Sequence, residues 1–196
     1  MTRAIALLTI SLVAASLGGC GGSPTSSFYR LKPDATLTSM GTAMPQNVVV
    51  NPVTIPELVD RPQIVVSVAG NQVWPNEFQR WAGPLKANIQ RTLAGNLSIL
   101  LGSENVSTYG ADSSDFPTWR VRVDFMQFDS VPGDRATIDA LWTIWPPGKA
   151  TPIVGRTLAD VPAQGQGYDA LVAAHDHALG EVSRDVAAAI LKNASR

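Results

Sequence analysis

The chain alternates between short apolar runs and two long stretches of helical periodicity. Residues Ala4 to Leu17 form 14 mostly apolar positions without a charge. Further on, Phe28-Tyr29-Arg30-Leu31 is a short strand candidate, and residues 32–46, with Pro33, Gly41 and Pro45, read as loop. Val48-Val49-Val50 is a strand core ending near Pro52. Ile55-Pro56 and Arg61-Pro62 bracket an extended segment, because residues before proline avoid the helical region. Ile64 to Val68 is a second strand, ended by Gly70-Asn71. Phe78, Trp81, Leu85, Ile89, Leu93, Leu97 and Leu100 then recur every three or four residues, which predicts a long helix. Pro75 would sit in its first turn and Gly102 would stop it. Pro84 would bend the axis in its middle. A return strand is expected near Val106. Clean alternation over 119–125, a turn at Pro132-Gly133-Asp134, and strands over 135–145 and 152–160 follow. A final helix over 168–192 carries Leu171, His175, Ala178, Val182, Val186 and Ile190 on one stripe. The order β-β-α-β-β-β-β-α predicts an α/β fold: a single domain with a mixed β-sheet and two long packed helices. Strand, helix and return strand imply a right-handed parallel crossover, and the later, closely linked strands should be antiparallel.

The first apolar run changes the accounting of the chain. At 14 residues it is shorter than the roughly 20 needed to span a bilayer, and Arg3 precedes it, as in a secretory signal. It leads into Leu17-Gly18-Gly19-Cys20, which looks like a bacterial lipobox: an aliphatic residue, two small residues for the signal peptidase, and the cysteine that is lipidated. Residues 1–19 are then a signal peptide, 20–27 a lipidated tether, and 28–196 the folded domain. No cofactor is expected; Cys20 carries a covalent diacylglycerol and an acyl chain, and two or more chains give durable anchoring. By the sorting rule this pattern resembles, Gly21 after the cysteine favours the outer membrane of a Gram-negative bacterium, on its periplasmic face. Of the 196 residues, 15 are basic and 16 acidic, for a net charge of −1. That balance excludes nucleic-acid binding by bulk positive charge. A single cysteine excludes an intramolecular disulfide framework and Cys-rich zinc sites.

Catalytic and metal chemistry find little support. His175-Asp176-His177 resembles a metal or acid/base cluster, but residues two apart on a helix face nearly opposite sides, so the two histidines cannot share an ion. No G-x-S-x-G elbow is present. Gly165-Gln166-Gly167 lacks a third glycine and is a loop. A hydrolase would need a pocket bringing a serine to His175. The chain therefore reads as not an enzyme, with no catalytic and no metal site.

Ile55-Pro56-Glu57-Leu58-Val59-Asp60-Arg61-Pro62-Gln63-Ile64-Val65 resembles a segment of the PqiC/YmbA family, the auxiliary lipoproteins of ABC-type and MCE-type transport systems. Phe28-Tyr29-Arg30-Leu31 and Arg80-Trp81-Ala82-Gly83-Pro84-Leu85 are similar to further family segments, although Gly83 stands where an acidic residue is common. The resemblance implies a fold like the amino-terminal domain of TolB. It implies an outer-membrane lipoprotein of a periplasm-spanning lipid-transport system that contributes to membrane integrity and docks to an MCE-domain partner. It leaves room for a homo-oligomer. The alternative is a lipoprotein that carries a lipid in its own pocket. Asp60 and Arg61, adjacent and so pointing opposite ways in an extended chain, are either ligands of nearby backbone or partner contacts. Trp81 lies on the apolar stripe and reads as core. Trp142 and Trp145 should face opposite sides of their strand, which makes Trp145, beside Pro146-Pro147-Gly148, a candidate contact with membrane or partner.

Overall fold

The computed structural model describes residues 24–41, 44, 46–108, 117–148 and 151–194. Their elements are β1 (Ser27–Tyr29), β2 (Asn47–Val50), a single 3-10 turn (Glu57–Val59), β3 (Gln63–Ala69), β4 (Gln72–Trp81), α1 (Leu85–Leu101), β5 (Val106–Thr108), β6 (Thr118–Val131), β7 (Arg135–Trp145), β8 (Ile153–Pro162) and α2 (Tyr168–Ala194). They form an α/β single domain, with strands in two mixed sheets and not in one. A three-stranded sheet has the order β1-β4-β3, and a five-stranded sheet the order β5-β2-β6-β7-β8. Both helices pack on the five-stranded sheet, α1 against β2 and β5, α2 against β7 and β8, and they pack on each other. Among the described residues no helix is long and apolar enough to cross a membrane.

The expected helix from Pro75 is corrected. Residues 72–81 are β4, which pairs antiparallel with β3, and Gly70-Asn71 is the hairpin turn between them. Gly70, at φ 53, adopts the left-handed conformation that a tight turn demands. The helix begins at Leu85 because Pro84 (φ −59, ψ 125) is its N-cap and not an interior kink. The 3–4 spacing of Phe78, Trp81 and Leu85 straddles a strand, a turn and a helix. Phe78 is consequently exposed while Trp81 and Leu85 are buried.

The parallel partner of the crossover is also different. Strand β5 returns beside β2 (Val48↔Val106), not beside β3, and β2 pairs parallel with β6 on its other side (Val48↔Trp119). The proline-bracketed segment 52–62 carries the chain out of the five-stranded sheet and into the smaller one. The antiparallel meander β6-β7-β8 is as expected.

Alternation on β6 and β7 buries Trp119, Val121, Val123, Phe125, Ile138, Ala140, Trp142 and Ile144 beneath the helices. A bulge between Phe125 and Gln127 resets the phase, so that Phe128 and Ser130 face inward and Met126 faces out. On the final helix, Leu171, His175, Ala178, Leu179, Val182, Val186 and Ile190 are all buried.

Two polar networks fasten this core. Trp142 Nε1 donates to Thr157 Oγ1 (3.1 Å), whose hydroxyl donates to Asp185 (2.6 Å) on α2. The Trp142 indole lies flat over Gly155, and a Cβ built there overlaps the ring. Although valine or alanine suits a strand better than glycine, Gly155→Ala is expected to cost about 1–3 kcal/mol by overpacking, read as a lower denaturant midpoint with an unchanged m-value. In the second network, the buried Asp34 accepts from Thr36 N (2.9 Å) and Thr36 Oγ1 (2.8 Å), an Asx-type turn, and pairs with His177 (2.9 Å) and Arg184 (3.2 Å). Its backbone N–H donates to Asn96 on α1, which in turn donates to Ser183 on α2. Residues 32–41 are thus irregular but fixed across both helices.

Candidate partner-binding cleft

The three motif segments, far apart in sequence, meet in space. The backbone N–H of Trp81 donates to the Pro62 carbonyl (2.8 Å), and that of Ala82 to the Tyr29 carbonyl (2.7 Å). Gln63 stands opposite Arg80, and Phe28 beside Arg80. These links join β1, the Asp60-Arg61-Pro62 corner, the end of β4 and the start of α1 around an open cleft of about 380 Å³.

The floor is apolar: Trp81 and Leu85 are buried beneath it, and Phe28, 64% exposed, stands on its wall. Trp81 is held edge-on by Phe128 (6.5 Å) and His175 (6.4 Å), which connects the floor to the core. At the rim, Asp60 stops the 3-10 turn, its N–H donating to the Glu57 carbonyl, and its carboxylate pairs with Lys86 Nζ at 2.7 Å. Arg80 makes a long contact of 3.9 Å to Glu77, and Arg61 forms no ion pair among the described residues. With Asp60 neutralised, the rim offers two guanidinium groups. The α1 N-terminus, with no side-chain cap, adds its partial positive charge. Gly83, at φ 124, holds a conformation that disfavours any other residue. The geometry suits an apolar side chain or segment carrying an anionic group.

Asp60 and Arg61 therefore come together with Phe28 and Arg80, which the sequence offered only as parts of motifs. Trp145 does not join them. It ends β7 in the other sheet, half-buried and opposite Arg120, and Trp142 is the buried member of the pair. The lipidation and peptidase-recognition candidates Leu17, Gly18, Gly19 and Cys20 lie outside the described residues.

A second, more polar cleft of about 420 Å³ lies on the other side of β1, between Arg30, Lys32, Asp169 and Asp176. Burial pushes the Asp176 carboxyl up to about 6, against the opposing hydrogen bond from the Lys32 N–H.

The structure does bring a serine to His175: Ser130 Oγ is 2.7 Å from Nε2. Both residues are sealed in the core, and His175 Nδ1 has no partner. The imidazole stacks on Phe128 at 4.2 Å, and burial drives its pKa down to about 3. A nucleophile–base pair needs a third group to orient the base and an opening for substrate. Neither residue lines either cleft, so this is a packed neutral histidine. His177, on the opposite side of the helix, serves Asp34.

Residues 29–187 match the family described as the ABC-type transport auxiliary lipoprotein component. No curated protein shows significant sequence similarity to the chain. Among solved structures, an uncharacterized protein superposes with a TM-score of 0.67 at 23% identity, covering 85% of this chain and 99% of its own. A Xanthomonas campestris protein of the DUF330 family superposes with a TM-score of 0.61 at 16% identity, covering 82% and 92%. At such identities these likenesses speak to the fold alone.

Proposed function

The chain belongs to the family of ABC-type transport auxiliary lipoprotein components, and from that premise we propose that it is the outer-membrane-anchored component of a periplasm-spanning lipid-transport system. Such a family is one of transport auxiliaries and not of enzymes. The observation that carries the finer reading is the order of the chain: a lipobox-like Leu17-Gly18-Gly19-Cys20, a tether, and then the matched domain from Tyr29. Acyl chains on Cys20 hold the domain at the membrane, and the cleft between the three motif segments receives an MCE-domain partner. Phe28 and the apolar floor supply contact area, while Arg61 and Arg80 select an anionic group.

Cys20→Ala is the test of anchoring. The variant should move from the membrane fraction to the soluble periplasmic fraction, with the domain still folded by circular dichroism. Wild-type protein that sediments with inner membranes, or a variant that stays in outer membranes, overturns the placement. A photo-crosslinker at Arg61 should capture the MCE-domain protein, and one at Trp145 should capture it less. Carriage of a lipid by the domain itself is the second reading, favoured by the apolar floor. At about 380 Å³ and open to solvent, the cleft lies near the lower end of the roughly 300–1,000 Å³ of small-molecule sites. Native mass spectrometry of the protein purified from membranes separates the readings, because a co-purifying lipid supports carriage.

A further inference from the structure

No Asp, Glu, Lys or Arg occurs between Arg61 and Glu77, a stretch that spans the whole β3–β4 hairpin up to Asn76. Its base is covered on both faces: Ile64, Val65 and Val66 are buried in succession. Its tip is not. Val68 is 47% exposed, Val73 40% and Trp74 60%, and they flank an uncharged Gly70-Asn71 turn. A charge-free hairpin end that shows water a tryptophan and two valines is an unfavourable surface for a free domain, whereas tryptophan is at home at a membrane–water interface.

The register of the small sheet says which way this tip points relative to the anchor. Strand β1 pairs parallel with β4, Ser27 opposite Gln79 and Tyr29 opposite Trp81. Going backwards from Ser27 therefore runs in the direction from Gln79 towards Gln72, which is towards the hairpin turn. Seven residues of β4 separate Gln79 from Gln72, about 23 Å at the usual rise of a strand. Seven residues also separate Ser27 from Cys20, with a reach of about 25 Å when extended. The anchor cysteine can thus lie level with the hairpin tip, and does so when the tether follows the direction in which the chain leaves β1.

We propose that the β3–β4 hairpin tip, led by Val73 and Trp74, inserts into the interfacial region of the lipid bilayer and acts with the acylated Cys20 as a two-point attachment. This rests on the anchor reading above. The acyl chains supply most of the affinity, and the tip fixes the orientation. With one attachment the domain would be free to swivel about the anchor; with two, the three-stranded sheet stands on the membrane and the five-stranded sheet faces away.

The test uses the full acylated protein reconstituted in phosphatidylethanolamine/phosphatidylglycerol vesicles. Intact mass first reports the acyl chains on Cys20, so failure of the anchor is seen separately. With Cys20 blocked by lipid, Val73→Cys and Val154→Cys each give one thiol for an environment-sensitive fluorophore. Val154 is 70% exposed on β8 in the other sheet. The expected result is a blue-shifted probe at position 73, quenched by doxyl-labelled lipid about threefold or more over the probe at position 154. A probe at 73 that stays in water on vesicle-bound protein overturns the proposal. So does one that turns apolar without lipid quenching, which would mean burial against a second copy or another protein, and so does equal quenching at both positions.

Discussion

Phe128→Ala is expected to lower the unfolding free energy by about 3–5 kcal/mol, the range for emptying a fully buried aromatic site. Phe128 is 2% exposed and stands where three parts of the domain meet. It belongs to β6 of the large sheet, its ring is stacked within 5° of His175 on α2, and its edge meets Trp81 at the end of the small sheet. Phe125 closes the remaining side at 6.1 Å. No neighbour can collapse into the space without breaking one of these contacts, so the cavity term should be near the top of its range. Urea unfolding followed by tryptophan fluorescence measures it. A loss below about 1 kcal/mol would show that the site relaxes and that the joint between the sheets is soft. The same variant opens a path for water to His175 and should raise that histidine's pKa, which the acid profile described next can register.

Stability should fall steeply in acid below about pH 4, and the pair His175 and Ser130 should account for much of the fall. His175 titrates at about 3 when folded, against 6.5 in the unfolded chain. Between those values the unfolded state binds the extra proton, so stability is lost as pH drops from 6.5 towards 3, by about 1.4 kcal/mol per pH unit at most. Asp176 acts in the opposite sense. Its folded pKa is raised from 3.8 to about 6, so between about pH 6 and 3.8 the folded state takes up the proton and gains stability as pH drops. The two slopes oppose each other over that window. Below 3.8 only losses remain. His175 continues, and Asp34 and Asp139 join it, because both have depressed carboxyl pKa values: hydrogen bonds from Thr36 hold Asp34 down against its burial, and Arg156 holds Asp139 down. In the double variant His175→Leu/Ser130→Ala, which removes the imidazole without stranding the hydroxyl, only the Asp176 gain is left, so stability relative to pH 6 should rise towards pH 4 where the wild type's stays level or falls. Thermal melts across that range decide the matter. An acid limb identical to the wild type's would mean that His175 is not neutral and buried in solution.

Much of this architecture was legible because the physics is local. Regular alternation on β6 and β7 and the long stripe on α2 need no tertiary information to be read: β7 has the expected bounds and α2 runs two residues further, while β6 continues beyond the expected 119–125 to Val131, past the bulge that breaks the alternation. The misreading at 72–84 has an equally definite cause. Phe78, Trp81 and Leu85 fall at helical spacing by coincidence, and that outweighed the turn chemistry of Gly70-Asn71 and the discomfort of Pro84, both of which pointed to a hairpin followed by a helix start. The division into two sheets was hidden because the segment between Pro52 and Pro62 has no periodicity of its own and only directs the chain elsewhere. Asp34 was invisible for another reason: a single aspartate in a polar loop does not announce that His177 and Arg184, about 150 residues away, will close over it. In the cleft, the motif segments carried the information, but only the backbone links from Trp81 to Pro62 and from Ala82 to Tyr29 turn three stretches of sequence into one surface.

The placement of β2 has a consequence for when the chain can fold. This four-residue strand lies between β5 and β6, parallel to both, so its partners arrive about 60 and 70 residues later. A chain emerging from its amino terminus can form the β3–β4 hairpin and α1 by itself, but β2 has nothing to pair with until Val106–Thr108 have appeared, and its second side stays open until Val121. Contacts of such sequence separation slow folding to the millisecond-to-second range. The molecule must therefore remain open for as long as it is still being delivered, and its first stretch of sequence is among the last to be secured.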